Sequence, residues 1–227
     1  MHRGLKPHQS MPMPGILLAT GRTVAPAVIV ANHVSYLDIL VLAALTPAVF
    51  VAKREVRDWP VFGWFARMAG TRFIDRTRRA DVIRVATEYA PLLAENVSVV
   101  LFLEGTSSDG REVLPFKSSL LDPVVSAQLS VVPTAISYDV PPGHSTATEV
   151  CWWGDMTLVP HLINLASLPR VRAHVSWGGP LYGATDRKKL AALACDRVRT
   201  MHRAIHEQGV RPPRSTAVQS PSPGPLV

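Results

Sequence analysis

Residues 25–38 read Ala25-Pro26-Ala27-Val28-Ile29-Val30-Ala31-Asn32-His33-Val34-Ser35-Tyr36-Leu37-Asp38. The run 25–31 is apolar, of strand length and without polar alternation, as expected of a strand buried on both faces. Tyr36–Leu45 then reads as helix, stopped near Thr46-Pro47. A buried strand passing through a tight turn into a helix is the repeating unit of α/β sheets. His33 lies in that turn, at the carboxyl end of the strand, where open α/β sheets bind ligands. The same alternation continues outward. Strands are expected at 48–52, 71–74, 98–103, 130–138 and 171–177, and helices at 58–69, 77–94 and 186–208. The expected fold is α/β: a single domain with a mixed, largely parallel sheet flanked by helices.

Composition narrows the function classes. The chain has 227 residues, 47% hydrophobic and 18% charged, enough apolar material for a sizeable core. Twenty prolines mark many turns. Residues 1–22 show no clean period, and 211–227 form a Pro/Ser-rich tail expected to be disordered, leaving 23–210 as the folded domain. Two cysteines, Cys151 and Cys195, exclude a disulfide scaffold and a four-thiolate zinc site. No histidine spacing joined to carboxylates suggests a metal, so none is expected. The net charge of +7 favours anionic partners: nucleic acid, lipid headgroups or phosphate-bearing substrates. Charge-free stretches run only about 15 residues, short of the roughly 20 that span a bilayer. A basic chain with mean hydropathy +0.15 that does not span suits a membrane surface.

His33 and Asp38 are five residues apart, about 140° on one continuous helix. They converge only if His33 precedes the helix and Asp38 sits in its first turn. A carboxylate on one imidazole nitrogen fixes the tautomer and leaves the other nitrogen as a base. Ser35-x-x-Asp38 equally fits a capping box with its acid near the helix's positive end.

The rest of the chain weighs on that choice. Asn32-His33-x4-Asp38 resembles the first motif of the glycerolipid acyltransferases, which include lysophosphatidate acyltransferase. Gly70-Thr71-Arg72-Phe73-Ile74-Asp75-Arg76 resembles their second motif and Phe102-Leu103-Glu104-Gly105-Thr106-Ser107-Ser108 their third. Val131-Val132-Pro133 resembles the fourth. The four occur in the family's order across residues 32–133.

The resemblance implies a glycerol-3-phosphate acyltransferase-like fold and transfer of a fatty acyl group to a lysolipid hydroxyl. The donor would be acyl-CoA or acyl carrier protein as co-substrate, with no cofactor. It makes His33 the general base and Asp38 the residue that orients it. Arg76 becomes the acceptor's phosphate ligand, with Lys117 a second basic residue. Glu104 would meet headgroup hydroxyls or else act as a buried cap. Gly105 and Thr106 complete the substrate-binding motif, with backbone N–H groups near Gly105 as candidate oxyanion donors.

The third motif departs from the family's usual form. Leu103 stands for proline and Ser107 for an arginine, which weakens the phosphate reading. The form 105–118 also resembles bacterial lyso-ornithine-lipid acyltransferases, whose acceptor carries no phosphate. Because Arg76 and Lys117 survive, the favoured acceptor is 1-acylglycerol-3-phosphate, with a phosphate-free lysolipid as the alternative. The expected partners are membrane lipids and the acyl donor, not nucleic acid, and the expected place is peripheral, on the cytoplasmic face of a membrane. The rival from another class is a non-enzymatic basic module binding membrane or nucleic acid.

Overall fold

The structure, a computed structural model, describes residues 15–19, 26–53, 71–74 and 87–209. The helix expected at 58–69, most of that at 77–94, Arg76 and the tail after 209 lie outside the described residues.

Seven described strands form one sheet: β1 (Gly15–Ala19), β2 (Val28–Ala31), β3 (Ala48–Lys53), β4 (Arg72–Ile74), β5 (Ser98–Phe102), β6 (Val131–Asp139) and β7 (Arg170–Trp177). Their order is β1-β7-β6-β2-β5-β3-β4, and every neighbouring pair is parallel except β6–β7. β1 lies inside the stretch 1–22 where the sequence shows no periodicity. Its order comes from pairing with β7, five residues in register.

β2 is central, between β5 and β6, and all four of its residues are fully buried. Its two faces feed two cores. Ile29 and Ala31, with Val100, Phe102, Ile136 and Tyr138, pack beneath α1 (Leu37–Leu45) and α5 (Leu158–Ser167). Val28 and Val30, with Val99, Leu101 and Val131, pack on the opposite side. That side is covered by α2 (Tyr89–Ala94), the 3-10 turn Ser118–Leu121 leading into α3 (Asp122–Ser126), and the basic helix α6 (Arg187–Gly209). Burial on both faces is why 25–31 carries no alternation.

Helix α6 meets the sheet through Ala191, Ala194, Cys195 and Val198, small side chains that allow close approach. Three helical pieces fall outside the helices expected from the sequence: α3, the single turn α4 (Thr146–Glu149) and α5. In α5 the polar side chains His161, Asn164 and Ser167 recur at three-residue spacing, and the apolar arc beside them runs from the half-buried Leu158, Leu162 and Leu165 to the exposed Val159 and Ile163.

Candidate active site

The turn from β2 to α1 is built around one carboxylate. Asp38 is the second residue of α1 and has no exposed surface. Its Oδ2 accepts from the backbone N–H of Val34 at 2.8 Å and of Ser35 at 3.1 Å. The same oxygen lies 2.8 Å from Nδ1 of His33. Its Oδ1 accepts the hydroxyl of Tyr138 at 2.7 Å. The cap and the histidine partner are therefore one carboxylate, and the two readings of Ser35-x-x-Asp38 do not compete. Helix start and imidazole share Oδ2 because His33 stands four residues ahead of α1, outside its spiral.

Nδ1–H on a carboxylate leaves Nε2 of His33 as the lone-pair nitrogen, without a hydrogen bond among the described residues. The ring stacks on Phe102 of β5, centroids 4.1 Å apart and planes within 18°, and its side chain is 23% exposed. Orientation by Asp38, one face on Phe102 and a second nitrogen left free on a partly exposed side chain are what a general base requires.

Asn32 secures the floor. Its amide donates to the Ile136 carbonyl at 2.9 Å, and its carbonyl accepts the Ile136 N–H at 2.8 Å. β2 ends at Ala31, paired with Thr134, so the Asn32 side chain extends the ladder by one more step of β6.

The loop after β5 wraps this turn. Ser108 N–H donates to the His33 carbonyl at 3.0 Å, and Trp152 N–H to the Val34 carbonyl at 2.8 Å. Gly110, at φ +77°, lets the loop pass between Val34 and Cys151; a Cβ there would stand 3.0 Å from the Cys151 sulfur.

Glu104 is only 2% exposed. Its Oε1 accepts Leu114 N–H at 3.3 Å, the His33 backbone N–H faces it, and Oε2 is buried without a hydrogen-bond partner. Burial pushes this carboxyl up to about 8, so it is largely protonated at neutral pH. Glu104 thus braces the motif from behind His33 and has little open surface to offer a headgroup. Gly105, at φ +76°, turns the chain, and its N–H donates to the Phe102 carbonyl at 3.3 Å, so this donor is already used. Thr106 is exposed, its hydroxyl 3.5 Å from the Ser107 carbonyl. Lys117 is exposed too, tied to the motif by its backbone N–H on the Leu103 carbonyl at 2.8 Å. The structure brings His33, Asp38 and Glu104 together; Arg76 lies outside the described residues.

Two contacts escape the sequence reading. Tyr138 on Asp38 is one. It depends on a register that only the folded sheet supplies: with Ala31 opposite Thr134, a two-residue period puts Ile136 and Tyr138 on the face of Ile29 and Ala31. The other is buried His161 of α5, whose Nδ1 meets the Tyr36 hydroxyl and whose Nε2 meets the Cys151 carbonyl, each at 3.0 Å. His144 pairs with Glu149 and His174 with Asp139. Among the described residues no three His, Cys, Asp or Glu side chains are grouped to hold a metal.

Known proteins supply the context. The acyltransferase family model, described as "Acyltransferase", matches residues 19–137. A lyso-ornithine lipid O-acyltransferase of Brucella abortus is 39% identical over 189 residues, covering 78% of this chain and 71% of that protein. A 1-acyl-sn-glycerol-3-phosphate acyltransferase of Neisseria meningitidis is 33% identical, covering 66% and 58%. The crystal structure of the 1-acyl-sn-glycerophosphate acyltransferase PlsC from Thermotoga maritima aligns over 87% of this chain and 73% of that one. Its TM-score is 0.60 at 22% identity, a likeness of fold. With the family model spanning more than half the chain and a relative 39% identical over 78% of it, the chain belongs to the acyltransferase family.

Proposed function

We propose that the protein transfers a fatty acyl group from acyl-CoA or acyl carrier protein to the free hydroxyl of a lysolipid, with His33 as general base. The observation that carries this is the 2.8 Å contact between His33 Nδ1 and fully buried Asp38, which leaves Nε2 free at the strand end. Nε2 takes the hydroxyl proton as the oxygen attacks the thioester carbonyl. The tetrahedral intermediate then collapses, the C–S bond breaks, and the imidazolium returns its proton to the leaving thiolate. Asp38 stabilises the imidazolium between these steps. Both cysteine thiols are pushed up by burial, Cys151 to about 12, which disfavours a thiolate nucleophile and supports direct attack by the alcohol.

For the acceptor, a lyso-ornithine lipid is the better-supported choice. Four relatives so named are 36–39% identical over 74–78% of this chain, and Ser107 stands where the phosphate-binding form carries arginine. Lysophosphatidate is the second reading, favoured by Lys117 and by the Neisseria relative. The enzyme works at the cytoplasmic face of a membrane; no helix among the described residues is long and apolar enough to cross one. Support for surface attachment comes from α5, where no charged residue occurs and Val159 and Ile163 are 61% and 67% exposed.

The deciding experiment incubates the purified protein with radiolabelled acyl-CoA, or acyl carrier protein, and each lysolipid in turn. Acylated ornithine lipid is the expected product, and His33→Ala should lower turnover by about 10² to 10⁴ while folding normally. Near-normal turnover by the variant would overturn the mechanism. Turnover of lysophosphatidate alone would overturn only the acceptor.

A further inference from the structure

Tyr138 stands 100 positions beyond Asp38 in the chain, yet its hydroxyl is 2.7 Å from Asp38 Oδ1. Both residues are buried, at 2% and 0% exposure. Asp38 thus has Oδ2 filled by Val34, Ser35 and His33, while Oδ1 rests on Tyr138. No solvent reaches Oδ1 to replace that hydroxyl. The placement is enforced: Asn32, immediately before His33, grips Ile136 through both its amide atoms, two residues from Tyr138 on the same strand face.

We propose that Tyr138 is a positioning residue for the His33–Asp38 pair, holding Oδ1 so that Oδ2 alone meets the imidazole and tempering the negative charge that His33 feels. The proposal rests on the reading of His33 as the base. A donated O–H spreads the charge of a carboxylate. Without it, Asp38 would remain anchored by three donors on Oδ2 but would hold a proton on His33 more strongly, leaving less free base at a given pH. Among the described residues, Glu104 and the Cys151 thiol are the other titratable groups whose charge couples to Asp38, and neither donates to Oδ1. A tyrosine that merely fills the core would also seek a partner for its hydroxyl, but exchanging it for phenylalanine would then leave His33 titrating unchanged.

The test is a histidine NMR titration of the full chain, with His33 assigned by His33→Gln, beside pH profiles of kcat and KM. In Tyr138→Phe, the His33 titration and the acid limb of kcat should both move up by about half a pH unit or more. KM for the lysolipid should stay within about twofold, because Tyr138 does not touch substrate. Incorporating 3-fluorotyrosine at position 138 keeps the ring and sharpens the donor, and should move the His33 titration down; this arm stands even where the phenylalanine variant fails to fold. A titration that stays put, or moves the same way in both proteins, would overturn the proposal. The NMR readout needs no turnover, so it separates failure of this inference from failure of His33 as the base.

Discussion

Asp38 does two jobs with one oxygen, and a single substitution can separate them. In Asp38→Asn the amide oxygen can still accept the N–H groups of Val34 and Ser35, so the start of α1 survives. The negative charge that stabilises an imidazolium does not. Urea unfolding should show a loss of about 1 kcal/mol, while turnover falls by at least about 10². Equal losses of stability and activity would mean that the carboxylate acts only as a cap. Glu104 offers a pH-dependent test. Its carboxyl is raised from 4.5 to about 8 by burial, so between these values the folded chain holds a proton that the unfolded chain has released. The stability it contributes is fully present below about 4.5 and is lost as pH rises through about 8. Glu104→Gln cannot ionise, so relative to wild type it should gain stability as pH climbs from 5 to 8, by at most about 1.4 kcal/mol per unit. Chemical denaturation of both proteins across that range reads the difference directly. Comparing the two proteins cancels His202, which burial lowers to about 4 and whose own contribution runs the opposite way, lost as pH falls from 6.5 toward 4. A flat difference would mean that water reaches Glu104 in solution.

At the scale of elements, the site depends on how β6 lies against the β2–α1 turn. Asn32 sets that register with two hydrogen bonds to Ile136, both buried. Asn32→Ala would leave the Ile136 N–H and carbonyl without these partners, at a cost of roughly 2–4 kcal/mol. Because Tyr138 follows on the same strand, turnover should fall beyond what the unfolded fraction explains. Urea titration combined with activity per folded molecule checks this; activity that tracks only the folded fraction would detach Asn32 from the site. Helix α5 is joined to the same turn through His161 on Tyr36, and the segment before it through the Trp152 N–H on the Val34 carbonyl. Its inner face packs on the core that holds Tyr36 and Tyr138, so its outer face looks away from the protein close to the motif.

For the whole molecule, the proposed surface attachment implies an orientation on the bilayer. The apolar arc of α5 runs past the core to the exposed Val159 and Ile163, which suit a lipid surface. The double change Val159→Asp with Ile163→Asp replaces exposed side chains and should shift thermal stability little. In flotation with phosphatidylcholine–phosphatidylglycerol vesicles, it should lower the bound fraction several-fold, since charge next to hydrocarbon is costly. Unchanged flotation would place membrane contact elsewhere on the chain.

Residues 25–38 determined much by themselves. A continuous apolar strand, a turn and a helix can be read from local pattern alone, because burial on both faces removes alternation and proline stops the helix. The parallel core follows from the same alternation of strands and helices, while the motif order across 32–133 pointed to the acyltransferases only by resemblance. The pairing of His33 with Asp38 was legible from spacing, since both belong to one turn. Tertiary structure decided whatever depends on chain brought from far away. Strand β1 has no pattern of its own and exists by pairing with β7. Helix α5 carries an amphipathic pattern, and only packing shows which part of its apolar arc the core covers. Glu104 looks like a ligand in a motif, and only packing shows it buried behind His33, where desolvation raises its carboxyl. Tyr138 reaches Asp38 across 100 residues because Asn32 fixes the register of β6, and no local signal carries a register between strands so distant in sequence. Hydrogen bonds within one turn follow from spacing; those between strands follow from how the sheet assembles.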